Sequence, residues 1–328
     1  PGEANWNYPN SVKSNDLTKN AVLKKFVVQF LQTISRMNRY VIASTYLPRK
    51  SEFRLAASLF SMPLFWQETK ITDELFNLDL RNSVTFPGIP GSQFEEVVRK
   101  IIRQQIPKSF LENYRSTVHA LNKSDLPRSP RAIFTSNLHA SSDSFTIWAA
   151  EKHNGGSAFV IGQHGGYYGL SEFPSSFERH EFDIADRYIS WGWNSKGISI
   201  AGPALMLVNQ RLIKRINPHL LIVVTDQLFT YPRSIFGDID ESSPYLSNVQ
   251  TLARNLEHIN KNVLIRLPIT HGDSGHSQID WFNENLPETA IDTGEQKFRQ
   301  LLKQAKLVVI PHNGTTLIES IALGVPTV

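Results

Sequence analysis

Nine consecutive residues, Ile161-Gly162-Gln163-His164-Gly165-Gly166-Tyr167-Tyr168-Gly169, hold four glycines, an imidazole, an amide and two phenols. They follow a strand-like run, Ser157-Ala158-Phe159-Val160. Glycine lets backbone N–H groups approach a ligand and adopt φ > 0. A turn at the carboxyl end of a strand in an open α/β sheet is the usual place for a ligand. A tight turn with a satisfied histidine would have the same composition. A second loop of this kind, Ile310-Pro311-His312-Asn313-Gly314-Thr315-Thr316, leaves a strand and opens a helix near the other end of the chain. A helix N-terminus is an anion site, and Asn313, Gly314, Thr315 and Thr316 offer N–H and hydroxyl donors there. Glu319, one turn further on, could accept from ribose hydroxyls. Alternatively, Asn313 or Thr315 caps the helix and Glu319 adds a capping contact. Two such loops, one in each half, suggest a cleft between two nucleotide-fold domains.

Two carboxylates have spacing suited to acid, base or nucleophilic work. Asp143 follows Ser141-Ser142 in the first turn of a predicted helix, where the helix dipole favours the ionised form. An ionised carboxylate is what a retaining glycosyl transfer needs as nucleophile; a capping aspartate has the same position. Glu68 ends the apolar run Leu64-Phe65-Trp66-Gln67. Partial burial there would raise its pKa and suit it to proton transfer, whereas a surface glutamate at the end of a helix would need no such role. His271, Asp273 and His276 lie close together, but their spacing matches no standard metal set and reads as an ordinary or substrate-lining loop. The chain lacks the G-x-x-x-x-G-K-[ST], G-x-G-x-x-G and H-E-x-x-H signatures.

These residues require a scaffold, and the 328-residue chain is long enough for two domains. It is 41% hydrophobic and 20% charged, a globular composition. With no cysteine, disulfides, Cys-ligated zinc and thiol nucleophiles are excluded. The net charge of +4 is too mild to argue for nucleic acid, and it is compatible with an anionic substrate or a peripheral contact with an anionic inner-membrane surface. No apolar run reaches membrane-spanning length; the lack of cysteine fits a cytoplasmic protein, which is the expectation. The chain starts at Pro1 without Met and stops at Val328 in what reads as the start of a buried strand, so both ends look cut.

A helix from Leu17 to Met37 is predicted, capped by Asn15 or Asp16. Next come a strand over Tyr40–Thr45, a helix over Lys50–Phe60, a loop over Thr85–Ser92 and helix over Gln93–Leu121 broken at Pro107. From Arg131 strands and helices alternate: strand Ala132–Ser136, helix Asp143–His153 ended by Gly155-Gly156, the Gln163 loop, then strand Arg187–Trp191. A second alternation has strands at Leu220–Thr225, Asn262–Leu267 and Lys306–Ile310, with helices at Ser247–Ile259, Glu295–Ala305 and Thr315–Leu323. Such alternation predicts an α/β class with parallel sheets, divided into residues 1–205 and 206–328.

The Gln163-His164-Gly165-Gly166-Tyr167-Tyr168-Gly169 block, with Thr45-Tyr46-Leu47-Pro48, Thr135-Ser136-Asn137, Asp143-Ser144-Phe145, Glu178-Arg179-His180-Glu181, Ala185-Asp186 and Ser190-Trp191-Gly192-Trp193, resembles the bacterial retaining β-Kdo glycosyltransferases of O-antigen and capsule assembly and their transferase relatives. The resemblance runs from about Thr45 to the end. It implies a GT-B-like fold of two Rossmann-like domains, the second incomplete here, with a CMP-activated Kdo donor, a glycan or glycolipid acceptor and no metal. It implies Asp143 as nucleophile, Glu68 as its acid/base companion and His164 as a third catalytic residue; Gln163 and His164 would face the donor phosphate or sugar carboxylate, and Gly165, Gly166 and Tyr168 would also bind substrate. His312, Asn313, Thr315, Thr316 and Glu319 would hold the nucleotide, with Arg266 neutralising its phosphate. A CDP-alditol phosphotransferase and a non-catalytic sugar-nucleotide-binding domain are the alternatives.

Overall fold

The computed structural model describes residues 34–69, 73–171, 176–194, 197, 199–214, 219–224, 239–259, 262–267 and 278–328. The predicted helix over Leu17 to Met37 and its cap lie outside these residues, apart from its last turn. The chain divides into two compact units, Pro1–Gly162 and Gln163–Val328. Both are built from parallel strands alternating with helices, so the α/β class holds.

In the first unit β1 (Tyr40–Ile42), β2 (Ala132–Thr135) and β3 (Ala158–Gly162) pair in parallel. Val41 is in register with Ile133, and Ile133 with Phe159; all three side chains are buried. β1 ends three residues before the predicted Thr45. The reason is backbone geometry: Ser44 and Tyr46 take φ of 50° and 60°, which no strand accommodates. The helices are α1 (Arg49–Ser58), α2 (Leu78–Ser83), α3 (Gln93–Gln105), α4 (Tyr114–Lys123), α5 (Leu138–Ser141) and α6 (Asp143–Asn154). Pro107 breaks the long predicted helix between α3 and α4, as expected of a residue without an N–H.

Helix α2 was not predicted, and a buried ion pair holds it. Arg81 donates from Nε to Glu112 Oε1 at 2.7 Å and from Nη2 to Oε2 at 2.8 Å. Its Nη1 reaches the carbonyls of Arg103 and Gln104 at the end of α3, 3.1 and 2.8 Å away, where a helix lacks internal donors. The two side chains are only 2% and 3% exposed. The Arg81 hydrogen bonds pull the Glu112 carboxyl from its ordinary 4.5 to about 2. A depressed carboxyl pKa stabilises the fold above the unfolded value, and the contribution is lost as pH falls through the folded one. Urea unfolding of the wild type is therefore expected to weaken between pH 4.5 and 2. Arg81→Met should flatten that part of the profile; an unchanged slope would remove this pair from the acid response.

In the second unit β4 (Arg187–Trp191) pairs with β5 (Ser199–Gly202), a strand that sequence reading missed. α7 (Ser176–Ile184) precedes them. The rest is an alternation of β6 (His219–Val223), α8 (Ile239–Ile259), β7 (Val263–Arg266), α9 (Gln278–Asn285), β8 (Ala290–Asp292), α10 (Phe298–Gln304), β9 (Ala305–Val309) and α11 (Thr315–Ala322). Its four strands lie in the order β8-β7-β6-β9. That is the order of half a doubly wound nucleotide fold, which reverses between β6 and β9. Both faces are covered. Leu220, Ile222 and Val224 pack with Leu246, Val249 and Phe282, while Leu221 and Val223 pack with Leu301, Leu302 and Leu323. Alternate residues of one strand thus serve two cores, which explains the unbroken apolar run in β6. None of the described helices is long and apolar enough to cross a membrane.

Candidate active site

The glycine turn is braced from inside. Gln163 is 1% exposed. Its Oε1 accepts from the Trp191 backbone N–H at 2.7 Å and from Trp193 Nε1 at 2.9 Å, and its Nε2 donates to Gly165 O at 2.6 Å. This side chain, predicted to face a donor phosphate or sugar carboxylate, holds the turn to β4. Trp193 also explains Gly169: φ is +74°, and a Cβ there would come within 2.7 Å of the indole. The Gly169 N–H donates to Glu178 Oε1 at 2.8 Å. Glu178 and Glu181, three residues apart on α7, share a helix face and are both buried.

His164 lies within this frame. Its Nδ1 is 3.3 Å from Glu181 Oε1 and its Nε2 is 3.3 Å from the Tyr168 hydroxyl. Phe177 meets the ring edge-on at 5.7 Å between centroids. Burial, and then the Glu181 charge, push the Tyr168 and Tyr188 hydroxyls well above their ordinary range, so both stay protonated. Tyr168, one of the predicted substrate contacts, is buried, with its hydroxyl against His164 Nε2. Gly165 is buried against the rings of Tyr167 and Tyr168.

The second loop leaves β9 at the point where the strand order reverses. Gly314 occupies the N-cap of α11, and no side chain caps that helix. Capping by Asn313 or Thr315 is thereby excluded. Thr315 Oγ1 instead accepts from the Gly166 N–H at 3.2 Å. The two glycine turns touch backbone to backbone: a Cβ on Gly166 would lie 2.7 Å from Thr315 N and press on the Gly314 carbonyl. Within the same turn, His312 Nδ1 and Thr316 Oγ1 are buried atoms with no protein partner among the described residues. Burial pushes the His312 pKa down and favours its neutral form. It pushes the Glu319 pKa up, opposed by the charge of Arg299. Asn313 is exposed. His312, Asn313, Thr315, Thr316, Glu319 and Gly166 therefore come together around one uncapped helix start.

In the first unit, Ser142 caps α6 by accepting from the Phe145 N–H at 3.1 Å. Asp143 is consequently not the cap. It is exposed on the first turn, and Ser109 donates a short hydrogen bond to its Oδ2. The next residue, Ser144, donates to Glu68 Oε2 at 2.6 Å. Trp66 makes this possible by packing edge-on against Phe145, at 5.0 Å, and against Trp148. It lays the Pro63–Glu68 segment along α6 and brings Glu68 to Ser144, the residue after Asp143 in the chain. Glu68 is exposed, not partly buried as expected.

A family model described as "LIC12162 family transferase" matches residues 3–328. The chain belongs to that family of transferases. No curated protein matched it.

Not every predicted contact of the transferase is available to a ligand. Arg266, at the end of β7, is bonded to the buried Asp292 and to Gln296 O at 2.9 Å; a phosphate would have to share its charge. His271, Asp273 and His276 lie outside the described residues. Among the described residues, no group of three or more His, Asp or Glu could hold a metal ion. Sequence reading assigned no role to Ser109, Ser144, Glu178 or Glu181. Only the last two left a signal, their three-residue spacing on one helix.

Proposed function

We propose that this transferase is a glycosyltransferase of the GT-B type that moves a sugar from a nucleotide donor to a glycan or glycolipid acceptor at the cytoplasmic side of the inner membrane. The donor best supported by the sequence resemblance is CMP-activated Kdo, and the product would belong to surface polysaccharide of the O-antigen or capsule type. The observation that carries this reading is the uncapped start of α11 closed against the Gly166 turn. Orphan N–H groups at a helix start favour a phosphate ester. His312 and Thr316 add polar atoms without protein partners among the described residues. A neutral imidazole at His312 can donate to the nucleotide without a net charge.

In this reading the Asp143 carboxylate attacks the anomeric carbon while the bond to the CMP phosphate oxygen breaks and the phosphate leaves with the electron pair. The acceptor hydroxyl then displaces Asp143 and passes its proton to Glu68. Two displacements give net retention. Donors at α11 stabilise the departing phosphate electrostatically, and His164 faces the sugar carboxylate, positioned by Glu181.

A calorimetric titration with CMP, CDP and UDP in the absence of added metal tests the donor assignment. Selective binding of CMP is expected. Preference for CDP, together with a phosphoalditol product, would replace sugar transfer by CDP-alditol phosphotransfer; preference for UDP would overturn the Kdo donor.

A further inference from the structure

Helix α3 has no buried residue although its sequence is strongly two-sided. Phe94, Val97, Val98, Ile101 and Ile102 recur at the spacing of a single helix face. Phe94 is 78% exposed, Val97 51% and Ile101 52%. Nine of the twenty exposed large apolar side chains among the described residues fall between Leu75 and Ile102, so the exposure is concentrated in one stretch of the chain. A contiguous apolar face of this kind marks an interaction surface.

Charge indicates what covers it. Glu95 borders the stripe one turn before Arg99, and the two pair at 2.6 Å. On the far side Glu96 precedes Lys100 in the same order, at 2.8 Å. Two acids, Glu95 and Glu96, stand against three bases, Arg99, Lys100 and Arg103, and a net charge of +1 draws an anionic bilayer by only about 1 kcal/mol. Two copies of α3 in parallel would set acid beside acid and base beside base. Antiparallel about a two-fold axis, the row containing Glu95 and Arg99 meets its own reverse. Glu95 of one copy then faces Arg99 of the other, and Phe94 faces Ile101.

We propose that α3 is a self-complementary contact between two copies of this chain, packed antiparallel about an axis near Val97. A two-fold interface uses the same patch on both subunits, and charges bordering an apolar seam select its orientation. Arg81, paired with Glu112, holds the end of α3 through the carbonyls of Arg103 and Gln104.

Sedimentation velocity of the full chain over a wide concentration range provides the test. A monomer–dimer equilibrium is expected. Val97→Glu and Ile101→Glu, at exposed positions that do not threaten folding, should each raise the dimer dissociation constant on the order of a hundredfold. The chain has no cysteine, so single cysteines report orientation without background. Val97→Cys should cross-link to its own copy under mild oxidant, and Gln105→Cys should not. A monomer at every concentration would overturn the proposal, as would a dimer indifferent to both glutamates. Self-cross-linking at both cysteine positions would overturn the antiparallel arrangement. Monomers that sediment with phosphatidylglycerol vesicles and lose that affinity in Val97→Glu would assign the face to lipid instead.

Discussion

Asp143→Asn is expected to lower transfer on the order of 10⁴-fold, the scale of removing one member of a catalytic set, while leaving the fold and CMP affinity almost untouched. The asymmetry between chemistry and folding follows from the local structure. Ser142, not Asp143, caps α6, so the substitution removes no capping bond. The side chain is exposed, and its Ser109 partner can donate equally well to an amide oxygen. The stability change should stay within about 0.5 kcal/mol, as for other surface positions. What the amide lacks is the nucleophilicity of a carboxylate. Initial rates with CMP-Kdo and a glycan acceptor, beside a CMP titration of the same variant, measure both halves. Undiminished transfer would remove Asp143 from the chemistry, and a lost CMP site would mean that its role is structural.

Gly166→Ala is expected to damage folding and ligand binding together. The added Cβ meets the backbone of Gly314 and Thr315, not a mobile side-chain end, so no rotamer change relieves it. Either the glycine turn or the start of α11 must move. Overpacking of this kind costs about 1–3 kcal/mol. Movement would also break the bond from the Gly166 N–H to Thr315 Oγ1 and open the proposed phosphate position, so CMP affinity should fall by at least about tenfold, equivalent to ~1.4 kcal/mol. Thr315→Ser is the control, because it keeps the accepting hydroxyl and should behave like the wild type. Thermal melts and CMP titrations of both variants provide the readout. Wild-type behaviour of Gly166→Ala would show that the two turns do not close on one another.

Much of the architecture was legible from periodicity. Strand Arg187–Trp191 was predicted to the residue, and α6, β6, β7, β9 and α11 to within a few residues of their ends. Each presents an apolar run bounded by a turn signal, and that pattern reports local geometry directly. The elements that were missed are short or depend on distant partners. β5 and β8 have four and three residues, too few for a period to register. α2 is held by Arg81 through a carboxylate 31 residues away, and no local pattern encodes such a partner.

The sequence alone determined the alternation of strands and helices, the parallel sheets and the places where the chain had to turn. These follow from side-chain polarity and from glycine and proline conformations acting over a few residues. It also located the residue types able to do chemistry, without deciding between function and capping at either helix start. Only the tertiary structure assigned the caps, because it fixes which groups lie within hydrogen-bonding reach. Ser142 and not Asp143 caps α6, and Thr315 Oγ1 accepts from Gly166 while no side chain caps α11. Folding likewise made Gln163 a brace of the glycine turn and set the Tyr168 hydroxyl against His164. Which partner a polar group takes depends on groups brought close by folding, and that proximity is absent from the order of residues along the chain.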